Sequence, residues 1–293
     1  MGGGSLAKQY PREYFMAAFG AACLNYPLWR ASAVGQSGFR MASMSIAGVG
    51  VPQTLTPYVY AFAPPYKGMV GVVLGMTWAR AAIFWGSDRG KEFLRSHGVT
   101  NESAATLLPP LLVSTLVQFI NQPIVRASIT LQNPKFNCPD TISAVKFIYD
   151  KYGLAGMWHG TSAGVLKTVP KYCTAIIVKD YMDEILPPVD PNSPTVQSDR
   201  LWRSAAKSAA AGVAGAALTN PLDVIRNEMF KKNTPLIQTV RNLYQELGYR
   251  FMLRGMGKNM IAVAIPVGST IFFTDALIQM SKNRKKKQDE GQS

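Results

Sequence analysis

Long apolar runs, interrupted by polar joints marked with proline or glycine, organise the chain. They cover roughly residues 13–36, 69–91, 104–132, 162–184, 203–230 and 256–280. Each is long enough for the roughly 20 helical residues that cross a hydrocarbon layer, so the pattern predicts six membrane-spanning helices. An even number of crossings places both termini on one side. The odd-numbered runs end on a shared mark: Asn25-Tyr26-Pro27-Leu28, Asn121-Gln122-Pro123-Ile124 and Asn220-Pro221-Leu222-Asp223. A proline inside a helix removes one hydrogen-bond donor and kinks the axis. The three prolines stand 96 and 98 residues apart, which predicts internal repeats.

A second mark alternates with the first. Tyr66-Lys67-Gly68, Trp158-His159-Gly160 and Leu253-Arg254-Gly255 lie 92 and 95 residues apart, each just before an even-numbered run. Between kink and corner, residues 141–152 and 236–247 carry apolar positions at helical spacing: Val145, Ile148 and Tyr149, then Val240, Leu243 and Tyr244. They read as amphipathic helices lying in the membrane interface. Residues 41–65, rich in Gly, Pro and Ser, show no such stripe. The expected fold class is therefore an all-α membrane protein, with six spans in three pseudo-symmetric repeats and short interfacial helices on one side.

Composition fits this pattern. With 47% hydrophobic and 16% charged residues, the chain is too apolar for an average soluble protein and too charged for bare hydrophobic spans. The net charge of +14 is spread over loops and helix ends rather than gathered in one patch, which argues against nucleic acid as a partner. Lys and Arg divide nearly evenly between the two sides, so charge alone does not orient the chain. Cys23, Cys138 and Cys173 are odd in number and lack metal-ligand spacing. His97 and His159 have no catalytic partners nearby in sequence, so no enzyme, metal site or cofactor is read. In the fifth run, Ala211, Gly212, Gly215 and Ala216 allow close helix packing.

The motifs in phase resemble the mitochondrial carrier family over nearly the whole sequence. That family marks its odd helices with Pro-x-acid-x-x-base, commonly with Gln nine residues after the proline. Pro221, Asp223 and Arg226 match in full; Pro27 with Gln36 and Pro123 with Gln132 match in part. The acid and base positions hold Trp29 and Ser32 in the first repeat, and Val125 and Ser128 in the second, while Arg30 and Arg126 sit one residue after the acid position. A glycine seven residues before the corner glycine is kept as Gly153 and Gly248, with Ala61 in the first repeat. The resemblance implies a polar tail at 1–12, carrier repeats at 13–99, 100–190 and 191–281, and a basic tail at 282–293. It places the protein in the mitochondrial inner membrane, both termini toward the intermembrane space.

It also implies roles. A ring of acid/base pairs at the kinks closes the family's cavity toward the matrix, but here only Asp223 and Arg226 remain, and an accessible pair contributes only about 0–1 kcal/mol. The opposite gate takes an acid and a base three residues apart: Asp88 and Lys91 match, whereas Asp180 and Asp275 keep only the acid, with Asp183 and Ile278 at the base positions. Lys167 and Lys171 lie roughly 10 and 16 Å beyond the Gly160 corner, near mid-membrane. Buried charges in a membrane mark functional positions. Lys167 and Thr168 occupy the family's substrate contact position, so these, with Lys171 and Arg80, are the candidate site for a small anionic solute. Gly68, Gly153, Gly160, Gly248 and Gly255, with Lys67 and Arg254, form candidate pockets for a lipid phosphate, which the resemblance names as cardiolipin. Two functions are expected: a carrier of a small anionic metabolite working by alternating access, or a carrier fold without transport, serving as a subunit of a larger inner-membrane assembly such as a respiratory complex.

Overall fold

The computed structural model describes residues 10–39, 43–46, 49–136, 138–190 and 196–290, and these are overwhelmingly helical. In chain order the helices are α1 (Pro11–Leu24), α2 (Tyr26–Ser37), α3 (Thr56–Phe62), α4 (Met69–Ser96), α5 (Glu102–Leu131), α6 (Thr141–Gly156), α7 (Thr161–Leu166), α8 (Thr168–Ile185), α9 (Val196–Lys232), α10 (Leu236–Leu247) and α11 (Met256–Glu290). A 3-10 turn (Gly248–Leu253) joins α10 to α11. All six apolar runs are helical, and their ends have physical causes. The first breaks at Asn25, two residues before Pro27, where the Asn25 amide closes back onto the Ala21 carbonyl at 2.8 Å. The fourth breaks at Lys167, and Pro170 just beyond leaves the Leu166 carbonyl without its helical donor. The helices α5, α9 and α11 continue through Pro123, Pro221 and Pro266.

Helix α1 packs against α4 and α11, α4 against α5, α5 against α7 and α8, α8 against α9, and α9 against α11, which closes a ring. The kinked helices α2, α5 and α9 also meet one another inside it. Close approach in the ring depends on small residues: a Cβ on Gly212 would lie 2.8 Å from Val263 on α11. The outer surface is apolar, with Val70, Leu74, Leu112, Leu116, Ile177 and Phe272 exposed. Such a surface suits a lipid solvent. Met69–Ser96, Ala104–Leu131 and a stretch within Leu236–Ile278 are long and apolar enough to cross a membrane by length and composition. The other three runs are more polar; α9, for example, opens with Arg200, Arg203 and Lys207.

The interfacial helices form where expected, but their stripes divide. Ile148 and Leu243 are fully buried against the kinked helices, whereas Tyr149 and Tyr244 face outward. A helix lying on a bundle buries one turn-spaced row and leaves the flanking row to the interface. The first loop, expected to lack such a helix, contains the seven-residue α3 at the corresponding place, packed on α2, after a two-residue antiparallel ladder pairing Ser45–Ile46 with Val49–Gly50.

Candidate functional site

The kinks and corners are tied by one repeated contact. The residue before each kink proline donates to the carbonyl just before its corner glycine: Tyr26 Oη to Lys67 O at 2.8 Å, Gln122 Nε2 to His159 O at 2.8 Å, and Asn220 Nδ2 to Arg254 O at 3.2 Å. Three different side chains thus make one bond in three places. The corner glycines Gly68, Gly160 and Gly255 have φ of +78°, +84° and +70°, a region that side-chain-bearing residues rarely adopt. Gly153 and Gly248 share the positive φ, while Ala61 is the buried end of α3. Each corner packs against the next kinked helix. A Cβ on Gly68 would meet Leu131, one on Gly160 Phe230, and one on Gly255 the Gln36 backbone nitrogen at 2.6 Å.

The acid and base positions of the three kinks are not equivalent. Asp223 is buried and accepts from two cations through the same oxygen: Lys167 Nζ of the α7–α8 joint at 2.7 Å and Arg226 Nη2 at 2.9 Å. The pair expected to be accessible and weak is instead a buried triad linking the fourth run to the fifth. Two positive charges and one negative leave one positive in excess. Lys171, one turn beyond Lys167, packs near Gly215 and is coupled electrostatically to Asp223. Thr168, the first residue of α8, is buried and donates back across the joint to Gly164 O of α7. In the other two repeats the acid positions are apolar and converge: Trp29 and Val125 pack with Ala33, Ile129 and Phe230 in one cluster between α2, α5 and α9. Ser32, at a base position, bonds Asn259 at 3.3 Å.

Arg30 and Arg126, three residues after their prolines, turn away from this cluster and are fully buried. Both reach the carbonyl four residues before the corner glycine of their own repeat, Pro64 O and Gly156 O respectively. Each also crosses to the next repeat: Arg30 Nε to Gln132 Oε1 at 2.7 Å and Arg126 Nη2 to Asn233 Oδ1 at 2.8 Å. Valine occupies this position in the third repeat, where Val224 packs on Phe251. There the crossing is made from the corner, by Arg254 Nε to Gln36 O at 2.7 Å, with Glu228 accepting from Arg254 at 3.0 Å. Three basic side chains therefore join repeat one to two, two to three and three to one. Gln36 and Gln132 serve this ring, since Gln36 Nε2 also donates to Asn220 Oδ1 at 3.0 Å.

At the opposite end, Lys91 turns to Glu102 at 2.9 Å and to Thr106, and Arg95 meets Glu102 at 2.6 Å. The guanidinium and ammonium together hold the Glu102 carboxyl down at about 2. Asp183, the acid at a base position, is matched by Arg203 at 3.1 Å and by Lys207, both from α9. Asp183 is thus balanced by bases from the neighbouring odd helix. Asp88 sits in α4 and Asp180 is exposed on α8. The side chains of Arg80, Asp275 and the basic tail Lys282–Lys287, together with residues 1–9, lie outside the described residues. Tyr26, Gln122 and Asn220, and the Arg30/Arg126 pair, were open to sequence reading by superposing the repeats on their prolines. Lys207 and Arg203 were not, since no motif points from them to Asp183.

A family model described as "Mitochondrial carrier protein" matches residues 102–189 and 197–285. The chain is 21% identical over 225 residues to mitochondrial ornithine transporter 1 of Saccharomyces cerevisiae, covering 71% of this chain and 74% of that protein. It is 24% identical over 271 residues to human solute carrier family 25 member 48, covering 77% and 83%. To human solute carrier family 25 member 33 it is 20% identical over 258 residues, covering 81% and 80%.

Proposed function

The chain belongs to the mitochondrial carrier family, and from that premise we propose that it moves a small anionic metabolite across the mitochondrial inner membrane by alternating access. In this reading the closed ring of helices is six spans in three repeats, both termini facing the intermembrane space. The three side-chain ties from kink to corner support the threefold arrangement. The apolar cluster around Trp29 and Val125, with the basic crossings beneath it, closes the matrix end. Opening that end separates hydrogen bonds from guanidinium groups to uncharged acceptors, and apolar contacts, rather than three ion pairs.

The single observation that carries the substrate class is the Asp223 triad. One carboxylate shared by Lys167 and Arg226 leaves net positive charge beside Lys171, part-way through the membrane. In a low-dielectric setting that excess favours an anion and disfavours a cation. One relative is named for ornithine, a cationic amino acid, and the charge at this triad is unsuited to such a substrate. The corner glycines and Lys67 remain the proposed seats for a cardiolipin phosphate, through backbone N–H groups at the starts of α4, α7 and α11. Arg254 is already engaged by Glu228 and Gln36, so at that corner the backbone carries the interaction.

The alternative, a transport-impaired subunit of a large inner-membrane complex, rests on the two lost kink pairs, the two missing bases at the opposite gate and the unusual first loop. The basic crossings and the apolar cluster supply an alternative closure, which answers the first of these. The test is uptake by purified protein in liposomes, screened over phosphate, nucleotides and organic acids. One of these anions is expected to move, and Lys171→Gln to cut its uptake roughly tenfold, equivalent to about 1.4 kcal/mol of lost interaction. No uptake above protein-free liposomes for any anion overturns the proposal. Co-migration with a large complex on native electrophoresis then supports the alternative.

A further inference from the structure

The turn at residues 233–235, which joins α9 to α10, is gripped by two side chains of the second repeat. Arg126 Nη2 donates to Asn233 Oδ1 at 2.8 Å, and the corner imidazole His159 Nε2 donates to Thr234 O at 3.0 Å. Asn233 has a φ of +53°, a region sparsely populated outside glycine, so the turn depends on what holds it. A carbonyl only accepts, so Nε2 carries the proton and Nδ1 is bare in the neutral ring.

The same corner brings the two bases together. Gly156 O accepts both from Arg126 Nη1 and from the His159 backbone N–H at 3.2 Å, while Gln122, one turn before Arg126 on α5, holds His159 O. Nothing close by offsets a second positive charge. Among the described residues, no carboxylate lies within ion-pair distance of the imidazole or of Arg126. From α6, the Tyr152 ring faces the Arg126 guanidinium at 4.9 Å and Lys151 at 5.3 Å. From α9, Lys232 is met by Glu228 at 3.3 Å and by Glu246 of α10 at 2.6 Å, and Glu228 is shared with Lys231 and Arg254. Helix α7 carries no charged side chain. Burial, and then the Arg126 charge, push the His159 imidazole below its ordinary 6.5, and the bond to Thr234 O opposes them only in part.

We propose that His159 is a proton-sensitive latch: neutral, it holds the α9–α10 joint to the second repeat, and on gaining a proton it becomes a second cation against Arg126 and loosens that crossing. The latch is a contact within the fold and does not depend on the transport reading. Because the fold favours the neutral ring, its contribution is complete above pH 6.5 and is lost as pH falls below that value. Histidine is the side chain that ordinarily changes charge between about pH 5 and 8, and this chain has two, His97 and His159.

The test compares the purified full chain in detergent at about pH 7.5 and about pH 5.5. On acidification the parent's melting midpoint is expected to fall by about 2 °C more than that of His159→Gln, whose amide can donate to Thr234 O but does not titrate. His97→Gln alters an exposed residue and is expected to keep the parent's response. Hydrogen exchange supplies a local readout in the amides of Asn233 and Thr239, which bond Met229 O and Pro235 O. Their exchange in the parent, divided by that in His159→Gln at the same pH, should rise several-fold from the higher pH to the lower. If His159→Gln fails to fold, the parent and His97→Gln still decide, since the acid response must survive in His97→Gln. A response that disappears in His97→Gln, one that persists in His159→Gln, or an exchange ratio that does not change with pH overturns the proposal.

Discussion

Asp223 is the residue whose removal discriminates most sharply between a shared buried acid and an ordinary ion pair. In Asp223→Asn, Lys167 and Arg226 lose the negative charge they share at 2.7 and 2.9 Å and face each other as two cations. At an effective dielectric near 20, unit charges about 4 Å apart interact by about 4 kcal/mol. Desolvation cancels much of the attraction in the intact triad, but stripping one partner from a buried pair costs about 3–5 kcal/mol. All three side chains are less than a fifth exposed, so the buried figure applies. For a chain of this size that corresponds to a midpoint drop on the order of 10 °C in a detergent thermal melt. Lys167→Met is expected to cost clearly less, because Asp223 keeps Arg226. The reasoning is refuted if Lys167→Met is as destabilising as Asp223→Asn, or if Asp223→Asn melts within a degree or two of the parent.

Gly255→Ala is expected to cost more than about 2 kcal/mol, since a left-handed backbone penalty of about 1–2 kcal/mol adds to a Cβ 2.6 Å from the Gln36 nitrogen. Gly257→Ala, with no atom near its Cβ, should be neutral or stabilising by up to about 1 kcal/mol in the same melt. Restoring the family acid as Trp29→Asp should destabilise by about 3–5 kcal/mol, because it deletes an aromatic ring from the Ala33–Ile129–Phe230 cluster and leaves an acid among apolar groups. A melt unchanged by that substitution would count against an apolar closure. Glu102 has its carboxyl lowered from 4.5 to about 2 by Arg95 and Lys91, so its contribution to stability is complete above pH 4.5 and is lost as pH falls toward 2. The difference in melting midpoint between the parent and Glu102→Gln should therefore shrink across that window; a constant difference contradicts the assignment.

The transport reading and the closure argument bear on each other. A carrier that keeps one charged kink of three could not close a threefold ring by acid–base pairing. Here the crossings end on uncharged acceptors, the Gln132 and Asn233 side chains and the Gln36 carbonyl, so each can form without a matching acid in the next repeat. Hydrogen bonds from a charged donor contribute about 1.5–3 kcal/mol each, enough for three to hold a closed end. They are also short enough in range to break together when the kinked helices separate.

Much of the architecture lay in local pattern. Apolar runs of spanning length, prolines 96 and 98 residues apart and glycines at matching corners specify helices, kinks and turns, because each depends on near neighbours in the chain. The surface helix α10 formed over Leu236–Leu247 as its spacing predicted. Three findings depended on contacts between distant residues. Lys167, read as a free base facing a substrate, is bonded to Asp223, 56 residues away. Asp183, read as an unmatched acid, is met by bases from α9. Arg30 and Arg126, which in sequence merely stand one residue after the acid position, join one repeat to the next. Where the chain bends and which faces are apolar follow from neighbours along it. The tertiary structure alone decided which charge meets which, because a side chain's partner in a closed ring of helices is set by how the helices pack and not by its distance along the chain.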